Sequence, residues 1–474
     1  MRNRMSNFTR GLGGTLPKAL FCFFLCMALL GYGIAAGRFR LFPFNNVKSA
    51  YLTAATIYFE FGFEPPHYGE VSKVKLADLG KSRILSLAEQ QPPENFLFTG
   101  GWNLFREYCP EYGCAAVVLA RDGHLVHAYP LRPQEFAART IAEFPHEAWH
   151  LRNVWQDNAK VFGIVKIGGG DLLVTFHERN DFPYGNGLAR IDQNGHVRWY
   201  LNTYTHHWPA VSGDEILVTS SIIRNGKITF PLGKQLSYTI KCGGPYPEDV
   251  VQVLDMNGKM RDQISVLGAL LASPYRAALY EDTKGIGAHP CDPLHLNSVA
   301  VVGDELSAAL KGTSPDDILV SIRNISAFAI IGRKSHRMKY FFRGSFRFQH
   351  SVHPYEGSKV VMFDDLGQNN GSAPSRVLLY DVATYSEHVV FSKNQAPDHN
   401  MFSQYEGGIS ISPDRKRLLV FVSEAGEAYE LSMPSGRIVS ILHNLQDLHG
   451  VPAAGPAAKT FALTARTHGI YYDR

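Results

Sequence analysis

One pattern recurs five times in this chain: a short apolar segment, a second segment that ends at a turn, and a third apolar segment. The leading segments begin at Leu172, Ile216, Ile318, Val360 and Leu418. The turns after the second segments are Asn194-Gly195, Asn257-Gly258, Arg333-Lys334, Ala383-Thr384 and Ser435-Gly436. Asn-Gly between alternating segments is a strong signal for a β-hairpin. Each unit is therefore predicted to be a small antiparallel sheet, which makes the fold all-β.

A sixth, partial unit precedes these five and suggests how the repeat closes. It consists of Ala115–Leu119, the turn Asp122-Gly123 and His124–Leu131, and it lacks leading strands. The C-terminal stretch Phe461–Tyr472 is expected to supply them. Because a ring closed by both chain ends leaves no exposed sheet edge, residues 101–474 are predicted to form a six-bladed β-propeller. Uneven spacing of the units leaves a β-sandwich or a seven-bladed ring as alternatives.

The first hundred residues differ in pattern from the rest. Residues 19–37 carry no charge, and as a helix they would match the thickness of a bilayer core, which predicts a transmembrane anchor after a cytoplasmic segment 1–18. A cleaved signal segment is the alternative. Residues 38–100 are predicted to be a helical linker, with helices over Val47–Phe61 and Leu76–Gln90. In both cases the remaining chain is expected to be exported. An uncleaved segment would anchor it at the inner membrane with its bulk in the periplasm, whereas cleavage would release it.

Composition excludes several classes of protein. Charged residues make up 19% of the chain and apolar residues 45%, which is typical of a folded globular protein. The net charge is only +4, and no run of Lys and Arg suggests a nucleic-acid site. A nucleic-acid partner is therefore not expected.

Four cysteines follow the apolar span: Cys109, Cys114, Cys242 and Cys291. In an oxidising compartment they allow three pairings, and local bridges Cys109–Cys114 and Cys242–Cys291 are favoured. Four buried free thiols are the alternative. Since no CxxC or CxxH spacing occurs, no zinc or other metal site is predicted.

Histidines precede the leading strands of three units. His206 and His207 precede Ile216, His295 precedes Ile318, and His350 precedes Val360. Equivalent positions in successive blades of a propeller face one another across the central channel.

These histidines and Arg323, which follows the strand that His295 introduces, are therefore expected to share one centre. Histidine can act as nucleophile, acid or base near neutral pH, and Arg presents a fork of donors to a tetrahedral oxyanion. The combination suits transfer of a sulfuryl or phosphoryl group.

Two polar motifs are weaker candidates. Gly168-Gly169-Gly170 precedes a strand and not a helix, so a phosphate cradle is not favoured. Asp364-Asp365 and Asn369-Asn370-Gly371 are better read as polar turns than as a cation site.

Three elements together resemble the bacterial arylsulfate sulfotransferase family, in its shorter branch. They are His295-Leu296-Asn297-Ser298, Asp316 to Asn324 with the sequence DDILVSIRN, and Phe348-Gln349-His350 followed by Phe363-Asp364-Asp365. The resemblance implies an exported six-bladed propeller that moves sulfate from an aryl sulfate to a phenol, without a nucleotide donor or other cofactor.

The resemblance also implies residue roles. His350 would be the transiently sulfated histidine, and His295, Asn297 and Arg323 would bind the sulfuryl oxygens. His206 or His207 would complete the site. Where the family often has an aspartate after these histidines, this chain has Trp208 and Ser351. The chain is therefore expected to lack two orienting carboxylates.

Two other functions remain possible from the sequence. One is a non-catalytic, membrane-anchored binding or assembly scaffold, which predicts a channel without converging His and Arg. The other is a hydrolase or lyase acting on another anionic ester, which needs an activating base or a metal that no motif provides.

Overall fold

The structure is a computed structural model in two compact units, residues 1–67 and 68–474. It describes residues 20–34, 71–75, 84–86, 92–99, 105, 107–143, 159–178, 185–225, 229–240, 246–281, 291–365, 374–395, 401–403, 405–444, 461–465 and 468–472. In the first unit, residues 20–34 form a helix whose side chains are exposed. Among these ranges, no helix has both the length and the apolar character needed to cross a bilayer. The anchor over 19–37 stays a prediction.

Six sheets of four or five strands make up the second unit across its described residues. We number them as blades in chain order and their strands from the centre outward. Blade 1 contains Ala159–Lys166, Leu172–Glu178, Gly185–Ile191 and Val197–Asn202, with Thr140–Glu143 outermost; blade 2 contains His206–Ser212, Glu215–Arg224, Tyr246–Asp255 and Met260–Ser265; blade 3 contains Leu296–Val301, Ile318–Ile322, Ala327–Ile331 and Met338–Phe342. Blade 4 contains His350–Pro354, Lys359–Asp364, Arg376–Asp381 and Ser386–Ser392; blade 5 contains Gly408–Ile411, Arg417–Val422, Glu427–Ser432 and Arg437–His443, with Ile84–Ser86 outermost; blade 6 contains His468–Tyr472, Asn95–Thr99, Cys114–Leu119 and Leu125–Pro130.

The first strands of the six blades contact one another in sequence and close a ring, blade 6 meeting blade 1. This confirms the six-bladed propeller and excludes the β-sandwich and the seven-bladed ring. Within each blade the neighbouring strands are antiparallel, apart from the parallel Thr140–Glu143.

Each interface between neighbouring blades is filled by its own apolar cluster. In the second strand of blade 3, Ile318 and Val320 pack toward blade 2, whereas Leu319 packs toward blade 4. Successive side chains of a strand point to opposite faces, so a strand buried on both faces is apolar throughout. This explains why the leading segments are continuous apolar runs and do not alternate.

Blade 6 is built from both ends of the chain. His468–Tyr472 supplies its first strand and pairs with Asn95–Thr99, which pairs with Cys114–Leu119. The C-terminal stretch thus supplies one of the two strands that were predicted from it. The other comes from the segment before the partial unit.

The helical linker predicted over 38–100 is wrong where that segment is described. Asn95–Thr99 lies in blade 6, Ile84–Ser86 pairs with the edge of blade 5, and Val71–Lys75 pairs with Phe461–Ala465. A short apolar run is compatible with a helix or a strand. Here an open sheet edge offers hydrogen-bond partners to the backbone, which favours a strand. The predicted helix Val47–Phe61 lies outside the described residues.

Short elements complete the fold. A hairpin of Thr229–Pro231 and Ser237–Thr239 lies inside the long insertion of blade 2. The helices are Pro133–Ala138, Val266–Leu271 and Gly303–Ala309, and the 3-10 turns are Gly168–Gly170, Arg276–Glu281, Arg323–Ile325 and Ser423–Ala425.

The disulfide prediction is confirmed for one pair. Cys109 and Cys114 are bridged, with their Cα atoms 5.3 Å apart. Cys291 is buried, and Cys242 lies outside the described residues, so their bridge stays a prediction.

Candidate active site

The candidate site is assembled where the first strands of blades 2, 3 and 4 begin. His206 and His350 are the first residues of their strands, and His295 directly precedes the first strand of blade 3. In all three strands the register with the second strand shifts just after this point. His207 and His295 have φ angles of 59° and 53°, which a non-glycine residue adopts only where its surroundings hold it.

These histidines form one cluster. The ring centroid of His207 lies 4.9 Å from that of His206, 5.6 Å from that of His295 and 5.9 Å from that of His350. The Nδ1 atoms of His206 and His207 are 2.7 Å apart, so one of them donates to the other. Both residues lie in the centre, and the choice between them that the sequence left open does not arise.

His350 is fully buried, and its two ring nitrogens differ. Nδ1 lies 3.1 Å and 2.9 Å from the two carboxylate oxygens of Asp365. Nε2 has no hydrogen-bond partner among the described residues. Burial, with the positive charges of Arg323 and His295, lowers the pKa of His350 well below its usual value. The ring is therefore neutral at physiological pH.

Arg323 is held beside this cluster by the turn that follows the second strand of blade 3. Its backbone N–H donates to the carbonyl of His295 at 3.1 Å, which fixes the two residues on adjacent strands. Its guanidinium lies 4.6 Å from the centroid of the Phe348 ring and donates to Asn324 at 3.2 Å. Only 4% of the residue is exposed, so its charge acts in a poorly solvated environment.

Asn297 links two blades beneath the cluster. Its Nδ2 donates to the carbonyl of Gln349, the residue before His350, at 2.7 Å, and its Oδ1 is buried with no partner in the described residues. The amide thus helps to fix the start of the His350 strand.

A comparison with known families identifies this arrangement. The sequence model of the arylsulfotransferase (ASST) family matches residues 163–440, which includes every histidine of the cluster and Arg323. The chain belongs to the arylsulfotransferase family. Membership implies an arylsulfotransferase-like function in a propeller fold, with an aryl sulfate and a phenol as the small-molecule substrates.

Solved structures show weaker likenesses. A Bacteroides caccae protein of unknown function is 10% identical, with 74% of this chain and 94% of that chain covered and a TM-score of 0.43. Virginiamycin B lyase from Staphylococcus aureus is 12% identical, with 60% and 71% covered and a TM-score of 0.33. The Dos1 propeller is 13% identical, with 65% and 64% covered and a TM-score of 0.35. No curated protein matches the chain.

The orienting carboxylates expected to be missing from this arylsulfotransferase-family site come from other positions. Besides Asp365 on His350, Asp292 lies 2.5 Å from Nδ1 of His295, and Asp249 lies 3.9 Å from Nε2 of His206. Trp208 and Ser351 stand where the family often has an aspartate, but Asp365 supplies a carboxylate to His350 from another position.

The pKa values of the two carboxylates next to His295 and His206 are shifted in opposite directions. Burial raises the pKa of Asp292, but His295, His206 and Arg323 together outweigh it, and the net shift is downward. Burial and the charge of Asp292 raise the pKa of Asp249. One carboxylate is thus kept ionised beside its histidine, whereas the other favours its protonated form.

Sequence reasoning also missed a histidine in this arylsulfotransferase-family propeller. His468 is the first residue of the first strand of blade 6, the position that His206 and His350 hold in blades 2 and 4. The signal was present, because His468 opens the segment that was predicted to close the ring.

Of the two weaker motifs, Asp365 joins the centre through Nδ1 of His350, whereas the glycine run does not. Gly168 borders a cavity of about 550 Å³ with Lys166 and Arg190, near the ends of the first strands, whereas the histidines stand at their starts. Asp364 ends the second strand of blade 4 and accepts from Arg376 and from the backbone of Arg347. Asn369-Asn370-Gly371 lies outside the described residues. In the described part of the chain, no group of His, Cys, Asp and Glu is arranged to hold a metal.

Proposed function

We propose that this protein transfers a sulfuryl group from an aryl sulfate to a phenol through a sulfohistidine at His350. In the first step Nε2 attacks sulfur, an N–S bond forms, and the S–O bond to the aryl group breaks with departure of the phenolate. In the second step the acceptor oxygen attacks sulfur, and the N–S bond breaks. Covalent catalysis of this kind splits one difficult displacement into two easier ones.

The observation that carries the proposal is the difference between the nitrogens of His350. With Nδ1 bonded to Asp365, a neutral ring with its hydrogen on Nδ1 presents the lone pair of Nε2, which has no partner among the described residues. A buried nitrogen without a partner is costly in a merely structural role. A reacting sulfur atom would supply that partner.

Arg323 and His295 are the groups that we assign to the sulfuryl oxygens. Both lower the pKa of His350 through their charge, so both act on the same atoms electrostatically. Fixed donors in a poorly solvated site stabilise charge that develops in the transition state. Asn297 remains a candidate for the same role through the second hydrogen of its amide.

The decisive experiment uses the purified full chain, p-nitrophenyl sulfate and a phenol acceptor, without nucleotide. We expect sulfated acceptor and, without acceptor, one sulfuryl group per chain on a peptide that contains His350. His350→Gln should lower turnover by about 10⁴-fold or more, the scale for loss of a nucleophile. His353→Gln is the matched control, because His353 lies on the same strand and its side chain hydrogen-bonds to Ser351, at 3.0 Å, and not to the histidine cluster among the described residues.

Two results would reject the mechanism. A sulfated peptide without His350, or equal turnover by His350→Gln, would remove the covalent role. No transfer across a panel of aryl sulfates would favour the binding or assembly scaffold. Release of sulfate that does not depend on acceptor would favour the hydrolase alternative.

We also propose an exported location, with residues 19–37 as the membrane anchor. The Cys109–Cys114 bridge supports it, because structural disulfides persist in oxidising compartments. Fractionation of cells that express the full chain, with protease added to intact spheroplasts, would test it. Protection of the propeller in spheroplasts would contradict export.

A further inference from the structure

We propose that Glu406, His468 and Ser423 form a relay that carries the phenol proton in the sulfuryl transfer. The inference rests on the proposed function and adds three residues to it. No role was assigned to any of them from the sequence.

The three side chains form a connected, buried chain of hydrogen bonds. His468 Nε2 lies 3.3 Å from a carboxylate oxygen of Glu406, and Nδ1 lies 3.1 Å from the hydroxyl of Ser423. The exposed fractions are 7% for Glu406, 2% for His468 and 0% for Ser423. A carboxylate on one nitrogen and a hydroxyl on the other is an arrangement that moves protons in many acyl- and group-transfer sites.

The relay occupies positions equivalent to those of the sulfuryl site. His468 begins the first strand of blade 6, as His350 begins that of blade 4. Ser423 directly follows the second strand of blade 5, as Asp365 follows that of blade 4. The propeller repeat therefore directs both pairs to the same end of the ring.

Direct contacts place the relay beside the histidine cluster. The Phe162 ring lies 4.8 Å from that of His468 and 4.9 Å from that of His207. A Cβ atom on Gly407, the neighbour of Glu406, would lie 2.0 Å from the ring of Phe363, which is the cross-strand partner of His350. The backbone that carries Glu406 is thus pressed against the strand behind His350.

Electrostatics agree with this placement. The charge of Glu406 raises the pKa of His350, against the larger effects of burial and Arg323, and it also raises the pKa of Asp365. Glu406 therefore acts on the proposed nucleophile over a short distance.

The two half-reactions need a group that stores one proton. When the donor S–O bond breaks, protonated His468 gives its proton through the Ser423 hydroxyl to the departing phenolate oxygen. When the acceptor phenol attacks sulfur, its proton returns by the same route as the N–S bond breaks. The Glu406 carboxylate stabilises the His468 imidazolium before the first step and after the second, and the full cycle consumes no proton.

The test varies the pKa of the phenol. p-Nitrophenolate is a stable anion that departs without a proton, whereas unsubstituted phenolate is not. For Ser423→Ala, Glu406→Gln and His468→Gln we expect single-turnover release from p-nitrophenyl sulfate within about 3-fold of the unmodified chain. Release from phenyl sulfate, and transfer to unsubstituted phenol, should fall by about 100-fold or more, the typical share of general acid–base catalysis.

The chain offers a matched control. His443 and Glu427 are another buried His–Glu pair, 3.6 Å apart on the outer strands of blade 5. His443→Gln should leave the dependence on phenol pKa unchanged. Melting temperatures identify any variant that fails to fold. If His468→Gln fails to fold, the test of the relay rests on Ser423→Ala.

Two outcomes are distinguishable failures. Equal losses with all phenols in the three variants would show a structural role and overturn the relay alone. No sulfated His350 peptide from the unmodified chain would overturn the proposed function and the relay together.

Discussion

Asp365 lies 2.9 Å from Nδ1 of His350, although the two residues are 15 positions apart in the chain. His350 begins the first strand of blade 4, and Asp365 follows the antiparallel second strand directly. The hairpin therefore returns the carboxylate to the histidine without help from another blade. This pair sets which nitrogen of His350 carries hydrogen.

Replacement of Asp365 by Asn should lower kcat for aryl sulfate turnover by about 100-fold or more, because the amide no longer enforces the hydrogen on Nδ1. Asp364→Asn is the control, since the neighbouring carboxylate bonds to Arg376 and not to His350. It should destabilise the fold while the rate per folded molecule stays near that of the unmodified chain. Equal rate losses in the two variants would contradict the assignment.

The rate should rise with pH through a raised pKa of Asp365. Burial raises that pKa, Arg323 opposes the shift, and Asp364 and Glu406 add to it. Below the raised pKa the carboxyl group donates to Nδ1, so the ring hydrogen moves to Nε2 and the attacking lone pair is lost. Above it the carboxylate accepts from Nδ1–H.

This pH dependence is checked in the profile of kcat/KM. The midpoint should lie above about 3.9, the ordinary value for Asp. His350 itself stays neutral, because its pKa is lowered. The same acidic limb in Asp365→Asn would assign the titration to another group.

Arg323→Met should reduce kcat by about 100-fold or more, the usual loss for one group that stabilises a developing oxyanion. Arg323→Lys should recover part of the loss, since it restores charge without the fork of donors. Arg343→Met is the matched control, because Arg343 donates to the carbonyl of Ile325 in the same turn at 2.9 Å but follows the outermost strand of blade 3. A rise in KM with an unchanged kcat for Arg323→Met would indicate a role in binding only.

A buried ion pair joins blades 5 and 6, and its disruption should destabilise the ring. Arg121 holds the carboxylate of Glu430 with two nitrogens, one of them at 3.0 Å. Arg121→Met should lower the free energy of unfolding by about 3 kcal/mol, as measured by denaturant unfolding, because it leaves a buried charge without its main partner. The loss should lie at the lower end of the usual range, because Arg417 lies 3.8 Å from the same carboxylate. Adding Glu430→Gln should recover much of the loss; an additive double variant would show that the two side chains are not coupled.

Peptide mapping without reductant should find two bridges, Cys109–Cys114 and Cys242–Cys291. The first closes a loop with a sequence separation of 5, so Cys109→Ser with Cys114→Ser should cost about 2 kcal/mol of stability. Alkylation of Cys291 in the native, unreduced chain would exclude the second bridge.

The sequence predicted the ring well because its repeat is local. Each unit carries its own apolar runs and turn residues, and units stack only with their neighbours. Asn95–Thr99 and Ile84–Ser86 escaped prediction because their partners, Cys114–Leu119 and Arg437–His443, lie elsewhere in the chain. The pattern within such short segments does not separate strand from helix.

The histidines were predictable because the repeat places them at equivalent strand starts. Their carboxylates were missed. Asp292 lies three residues before His295, and Asp249 stands on the third strand of blade 2, which pairs with the second strand and not with the strand that carries His206. The contact of Asp249 depends on how the strands of one blade are aligned, which the spacing of single residues does not encode.

Closure of the ring by the final strand also sets the order in which the centre can be assembled. His468 arrives with the segment that closes the ring, whereas its neighbours Phe162 and Trp208 are synthesised 306 and 260 residues earlier. A chain that is still being made therefore has an open ring and an unfinished channel. The His468 side of the centre forms only in molecules whose synthesis has passed the strand His468–Tyr472.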